Sequence, residues 1–146
     1  MTTPRSDCEL VASRAIPAPP ADVFAAFADP ARLARWWGPD GFTCTFHQFA
    51  FEPGGDWRFT MHSPDGQDFA NESVFEEITP PSRVVLRHTC PPPFTAEMEF
   101  QAQDDGTLVV FRQIFPTADL CRRIAEYAGD ANHQVLAKLA AEVEEG

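Results

Sequence analysis

Trp57, Phe59 and Met61 alternate with Asp56, Arg58, Thr60 and His62, and the same two-residue rhythm returns further along the chain. Phe94, Ala96, Met98 and Phe100 alternate with Thr95, Glu97, Glu99 and Gln101. Val109 and Phe111 oppose Leu108, Val110 and Arg112, a stretch that is apolar on both faces near its middle. Side chains along a strand point alternately to opposite faces, so each of these patterns predicts a strand with one side against a core. Cys8 to Ile16 and Phe42 to Phe51 predict two more. Turn-forming clusters cut the chain between them: Pro53-Gly54-Gly55, Ser63-Pro64-Asp65-Gly66, Thr79-Pro80-Pro81-Ser82, Cys90-Pro91-Pro92-Pro93 and Asp104-Asp105-Gly106. The expectation is seven strands in one antiparallel sheet.

Helical spacing occurs in three places. Pro19-Pro20 stands where a first-turn proline fits, and Val23, Phe24 and Phe27 follow on one helical face. Asp29-Pro30 repeats that start, with Leu33, Trp36 and Trp37 after it and Gly38-Pro39 as the stop. Near the C-terminus, Asp119 to Ala128 and Ala131 to Val143 share an apolar face of Leu120, Ile124, Val135, Leu136, Leu139 and Val143, interrupted at Gly129-Asp130. Strand, two short helices, six strands and a long C-terminal helix make an α+β chain, read as a single domain over residues 1–146. The long helix covers the sheet and the two short helices plug one end.

Composition narrows the function. Eleven basic side chains stand against 22 acidic ones, a net charge of −11. That excludes a nucleic-acid reader, which needs Lys and Arg against phosphates, and an anionic membrane surface for the same reason. No apolar run is long enough to span a bilayer, and the first residues lack the pattern of a secretory signal. Cys8, Cys44, Cys90 and Cys121 are scattered with no C-x-x-C pair, which reads as reduced thiols in a cytoplasmic protein without a zinc site. The 13 Phe against a single Tyr put the aromatic bulk in its least polar form.

The stretch Ala15-Ile16-Pro17-Ala18-Pro19-Pro20-Ala21-Asp22-Val23-Phe24, followed by Asp29-Pro30 and Leu33 to Pro39, closely resembles the START-like (SRPBCC) superfamily. Within it, the chain is most similar to bacterial homologues of the activator of the ninety-kilodalton heat-shock chaperone ATPase. Pro53-Gly54-Gly55-Asp56-Trp57-Arg58, Val74 to Val85 and Asn132-His133-Gln134 carry that likeness on to the C-terminal helix. The resemblance implies a helix-grip fold, in which a curved antiparallel sheet wraps a long C-terminal helix and encloses an apolar cavity. It implies no shared catalytic set, because the superfamily includes carriers, cyclases, oxygenase domains and chaperone activators. The activator name belongs to relatives with an additional N-terminal domain, whereas this chain starts directly at its first strand, so a chaperone partner is the weaker expectation.

In such a fold Trp37, Phe42, Phe46, Phe94, Met98, Phe111, His133 and Leu136 are candidates to line the cavity. Arg58, His62, Glu72 and His88 are candidate polar groups within it. Their rival placement is the solvated face of the sheet, where alternating charged positions normally lie. Glu72 and Glu76 share a parity with Val74 and Ile78, so an acid beside apolar side chains, with a raised pKa, is one reading; a pair with Arg58 or Arg87 is the other. His47, His62, His88 and His133 have no metal-ligand spacing, and no metal or cofactor is expected. The sequence therefore points to a carrier of a small hydrophobic molecule, lipid-like or aromatic. A cyclase- or hydrolase-type enzyme and a chaperone-activator-like interaction module are its alternatives, and a homodimer is plausible too, although the sequence has no direct signal for it.

Overall fold

A computed structural model describes residues 8–128 and 130–145. Its first strand, β1 (Glu9–Ile16), leads into α1 (Pro20–Ala28) and α2 (Pro30–Trp36). Six strands follow: β2 (Thr43–Phe49), β3 (Asp56–His62), β4 (Asp68–Thr79), β5 (Arg83–His88), β6 (Phe94–Gln103) and β7 (Gly106–Ile114). Helices α3 (Ala118–Ala128) and α4 (Ala131–Glu145) complete the order. Among the described residues the seven strands form one antiparallel sheet, ordered β1-β7-β6-β5-β4-β3-β2. This is the helix-grip arrangement that the sequence led us to expect. None of these helices is long and apolar enough to cross a membrane.

Local chemistry sets the boundaries. Both early helices begin with a proline whose missing N–H costs nothing in a first turn. The Asp29 carboxylate caps α2 by accepting from the Ala31 N–H at 3.0 Å. Two bulges bend the sheet. In β2 the register with β3 shifts between Phe46 and Gln48, so Phe46 opposes Phe59 and Phe49 opposes Trp57. In β4 the shift falls between Phe75 and Glu77, leaving Glu76 as the extra residue. Ser73 and Phe75 face inward before this bulge, and Ile78, paired with inward Val84, follows it.

The inner face meets α4 through Val135, Leu136, Leu139 and Ala140, all buried. At the α1–α2 end the core is aromatic. Trp57 is fully buried and lies within ring contact of Phe27, Trp37, Phe46, Phe49, Phe59 and Phe75. Its indole N–H has no hydrogen-bond partner among these rings. Trp36 is also fully buried, and its N–H donates to the Ala26 carbonyl at 3.0 Å. The outer face carries charge instead. Arg112 pairs with Glu9 and Glu99, and Arg83 with Glu77, Glu97 and Glu99. Beneath these pairs Val85 and Val110 are buried.

Candidate functional site

Between the sheet and the start of α4, the grip does not close, and a cavity of about 210 Å³ remains. Its floor is Met61 of β3, Asn71 of β4, His88 of β5, Phe94 of β6, and Phe111 and Gln113 of β7. Ala131, Asn132 and Val135 of α4 form the roof, and Trp37, Gly38 and Pro39 form the rim. The rim is bolted to the roof. The Lys138 ammonium donates to the Gly38 and Pro39 carbonyls at 3.1 and 3.3 Å, and the Asp40 N–H donates to Gln134 Oε1 at 3.1 Å. Cys44 adds a contact from β2, its thiol donating to the Trp37 carbonyl at 3.3 Å; burial pushes this thiol up to about 11 and keeps it neutral. Gly38 turns the chain at φ +111°, where any Cβ would also press on Met61 and Phe42.

Polar groups enter the wall in two pairs. His88 is 7% exposed and stacks on Phe94, ring centres 4.5 Å apart. A carbonyl only accepts, so the bond of 2.9 Å to Pro92 O assigns the hydrogen to His88 Nδ1. Nε2 then faces the Asn71 side-chain amide at 3.0 Å and the Cys90 thiol at 3.4 Å. The second pair bridges sheet and helix: Asn132 Nδ2 donates to Gln113 Oε1 at 2.8 Å. Among the described residues no charged side chain lines the cavity. A wider and more open depression outside, at Arg87, Thr89, Pro93 and Pro116, shares only His88 and Phe94 with it.

Burial holds the His88 imidazole below its usual range, against the raising influence of its backbone hydrogen bonds. The sign of the stability effect follows. The unfolded chain takes up a proton near 6.5 while the native ring resists it, so stability is lost as the pH falls below about 6.5, until the native ring also charges. We expect the melting temperature to drop between pH 7 and pH 5, and to drop less in His88→Gln. Identical pH profiles for the two proteins would show that this ring does not govern the loss.

The candidates from sequence separate into three groups. Trp37, Phe94, Phe111 and His88 lie on the cavity wall. Phe46, Met98 and Leu136 point inward but belong to the packed core, Met98 with no exposure and Leu136 with 1%. Phe42 lies outside, against Pro64 and Phe69. His133 is exposed on α4, one position round the helix from buried Asn132. Arg58, His62 and Glu72 do not enter the cavity either, because they alternate with inward side chains and so face outward. Arg58 donates to Gln48 Oε1 at 3.1 Å, and His62 bonds Asp68 and Thr45, each at 2.7 Å. Glu72 is exposed opposite Arg58 in the register. Glu76 is exposed too and pairs with Arg87 at 3.1 Å, the ion-pair alternative rather than the buried-acid one. Sequence reasoning missed Met61, Asn132 and Val135 as lining residues, and also Asn71 and Gln113, single amides at inward positions of their strands.

The sequence pattern of a family described as "Activator of Hsp90 ATPase homolog 1-like protein" matches residues 17–144. Among curated proteins none matches. Several solved structures are similar over nearly the whole chain. A crystal structure of a protein from Nitrosomonas europaea is 21% identical with a TM-score of 0.88, covering 98% of this chain and 99% of that one. A protein from Chromobacterium violaceum is 26% identical with a TM-score of 0.81, covering 93% and 97%. A solution structure from Arthrobacter aurescens is 20% identical with a TM-score of 0.88, covering 96% and 88%. These likenesses speak to the fold.

Proposed function

We propose, for a chain that belongs to the Activator of Hsp90 ATPase homolog 1-like family, that it holds a small, uncharged, mainly apolar molecule between the sheet and α4. One observation supports this reading above the others: the cavity walled by Trp37, Met61, Phe94, Phe111 and Val135. Burying apolar surface there drives binding, and the few neutral polar groups set orientation. Size limits the occupant. Drug-sized ligands take roughly 300–1,000 Å³, and an apolar cavity of about 150 Å³ takes benzene, so a volume of about 210 Å³ suits a one- or two-ring molecule. A long acyl chain is too large for it. An anion would lose its hydration with no cation to replace it.

The enzyme alternative keeps His88 as its titratable group at the wall, while Arg58, His62 and Glu72 stand on the other face of the sheet. The interaction-module alternative needs exposed apolar surface. Among the described residues Phe69, 46% exposed, is the large hydrophobic side chain that offers it. The cavity is the better supported site.

Thermal melts with a panel of one- and two-ring neutral aromatics test the proposal. At a hundredfold excess over Kd a ligand adds about 2.7 kcal/mol, a rise of several degrees in melting temperature. Val135→Trp fills the roof of the cavity and is expected to abolish the rise. A rise that persists unchanged in the variant, or no rise with any member of the panel, overturns the assignment.

A further inference from the structure

We infer, resting on that reading, that the ligand is a flat, uncharged ring system carrying a ring-amide edge, its N–H beside its C=O, and that Asn132 and Gln113 read that edge. Two primary amides joined by one hydrogen bond each keep a group in hand. With Asn132 Nδ2 donating to Gln113 Oε1, Asn132 Oδ1 remains as an acceptor and Gln113 Nε2 as a donor. Exchanging oxygen and nitrogen in both amides reverses the bond and leaves the same balance, one donor and one acceptor. The conclusion is therefore independent of how the two amides are oriented.

Asn132 is 8% exposed, Gln113 is half-buried, and both line the cavity, so a molecule seated there meets their remaining groups. A bound molecule displaces water from these groups, so a ligand that pairs both at once is selected over one that pairs neither. The other polar pair is already committed. His88 donates to the Pro92 carbonyl and has the Cys90 thiol at Nε2, and Asn71 Nδ2 donates to the Phe69 carbonyl at 3.1 Å. The lining agrees with a ring-bearing occupant, since Trp37, Phe94 and Phe111 all border the space.

Calorimetric titration with three ligands of one ring skeleton tests this: quinolin-2-one, its N-methyl derivative, which lacks the N–H, and quinoline, which lacks the amide. We expect quinolin-2-one to bind roughly tenfold to a hundredfold more tightly than the other two. In the double variant Asn132→Leu with Gln113→Met, which replaces both partners with apolar groups of similar shape, all three should bind equally, at the level of quinoline. Circular dichroism confirms that the variant is folded; if it is not, Gln113→Met alone is compared. Equal binding of all three by the unaltered protein overturns the inference and leaves the cavity reading standing, as does a preference that survives in the variant. Binding of none of the three overturns both.

Discussion

Replacing Glu142 with alanine lowers stability at neutral pH by about 2–3 kcal/mol, roughly 5–10 °C in melting temperature for a chain of this length. One carboxylate, 10% exposed, joins α4 to α2. It accepts from Arg35 Nε at 2.7 Å and Nη2 at 2.8 Å, and from Arg32 Nε at 3.0 Å. The forked geometry is the strong form of the interaction, although Arg35, 59% exposed, shares its charge with solvent and keeps the effect below that of a fully buried pair. The two guanidinium groups, Arg35 foremost, hold this carboxyl down to about 2, against an ordinary value of 4.5. A depressed carboxyl stabilises the native state above its unfolded value and ceases to do so as it is protonated, so the contribution fades as the pH falls from about 4.5 to about 2. Melting curves of the two proteins should therefore converge across that interval. A gap that stays constant down to the lower limit would show that the loss is one of packing, not of charge.

Gly55→Ala is expected to be more damaging, about 3–5 kcal/mol. A methyl group at this position would sit 2.0 Å from the Ala50 carbonyl oxygen and 2.9 Å from the Ala50 carbonyl carbon. The obstacle is backbone, so no rotamer change relieves it. Nor can the turn move freely, since the Gly55 N–H donates to Glu52 O at 2.8 Å and the Phe75 N–H donates to Gly55 O at 3.0 Å. The neighbouring residue provides the control. Gly54 has φ +83° with open space around it, so Gly54→Ala pays only left-handed strain, about 1–2 kcal/mol. Urea denaturation of the two variants separates steric closeness from backbone conformation. Equal losses would show that the turn relaxes around the added methyl.

The architecture was legible because its signals are local and repeated. Prolines at helix starts, an Asp cap at α2, and period-two alternation in β3 and β6 each depend on a few adjacent residues. The bulges were not legible. Alternation places Val74 and Ile78 on one face, but the extra residue at Glu76 turns Ile78 inward, while Glu72 and Val74 stay on the outer side. In β2 the same device brings Phe46 and Phe49 to one side, ring centres 5.8 Å apart, and commits both to the core. The site was partly legible for a related reason. Large apolar residues announce themselves, yet whether a side chain packs solid, as Met98 and Leu136 do among their neighbours, or borders empty space depends on the curvature of the sheet. Asn71 and Gln113 carry no motif; they acquire meaning from the side chains that stand opposite them, His88 across the cavity wall and Asn132 at the start of α4.

The bolt between rim and roof has a practical side. Lys138 is the sole lysine of the sequence, and its amine is spent on the Gly38 and Pro39 carbonyls at the cavity mouth. Amine-directed chemistry, whether to attach a dye or to anchor the protein to a sensor surface, has one side chain to find, and acylating it removes the ammonium that fastens the mouth. Coupling through an added tag leaves that fastening whole.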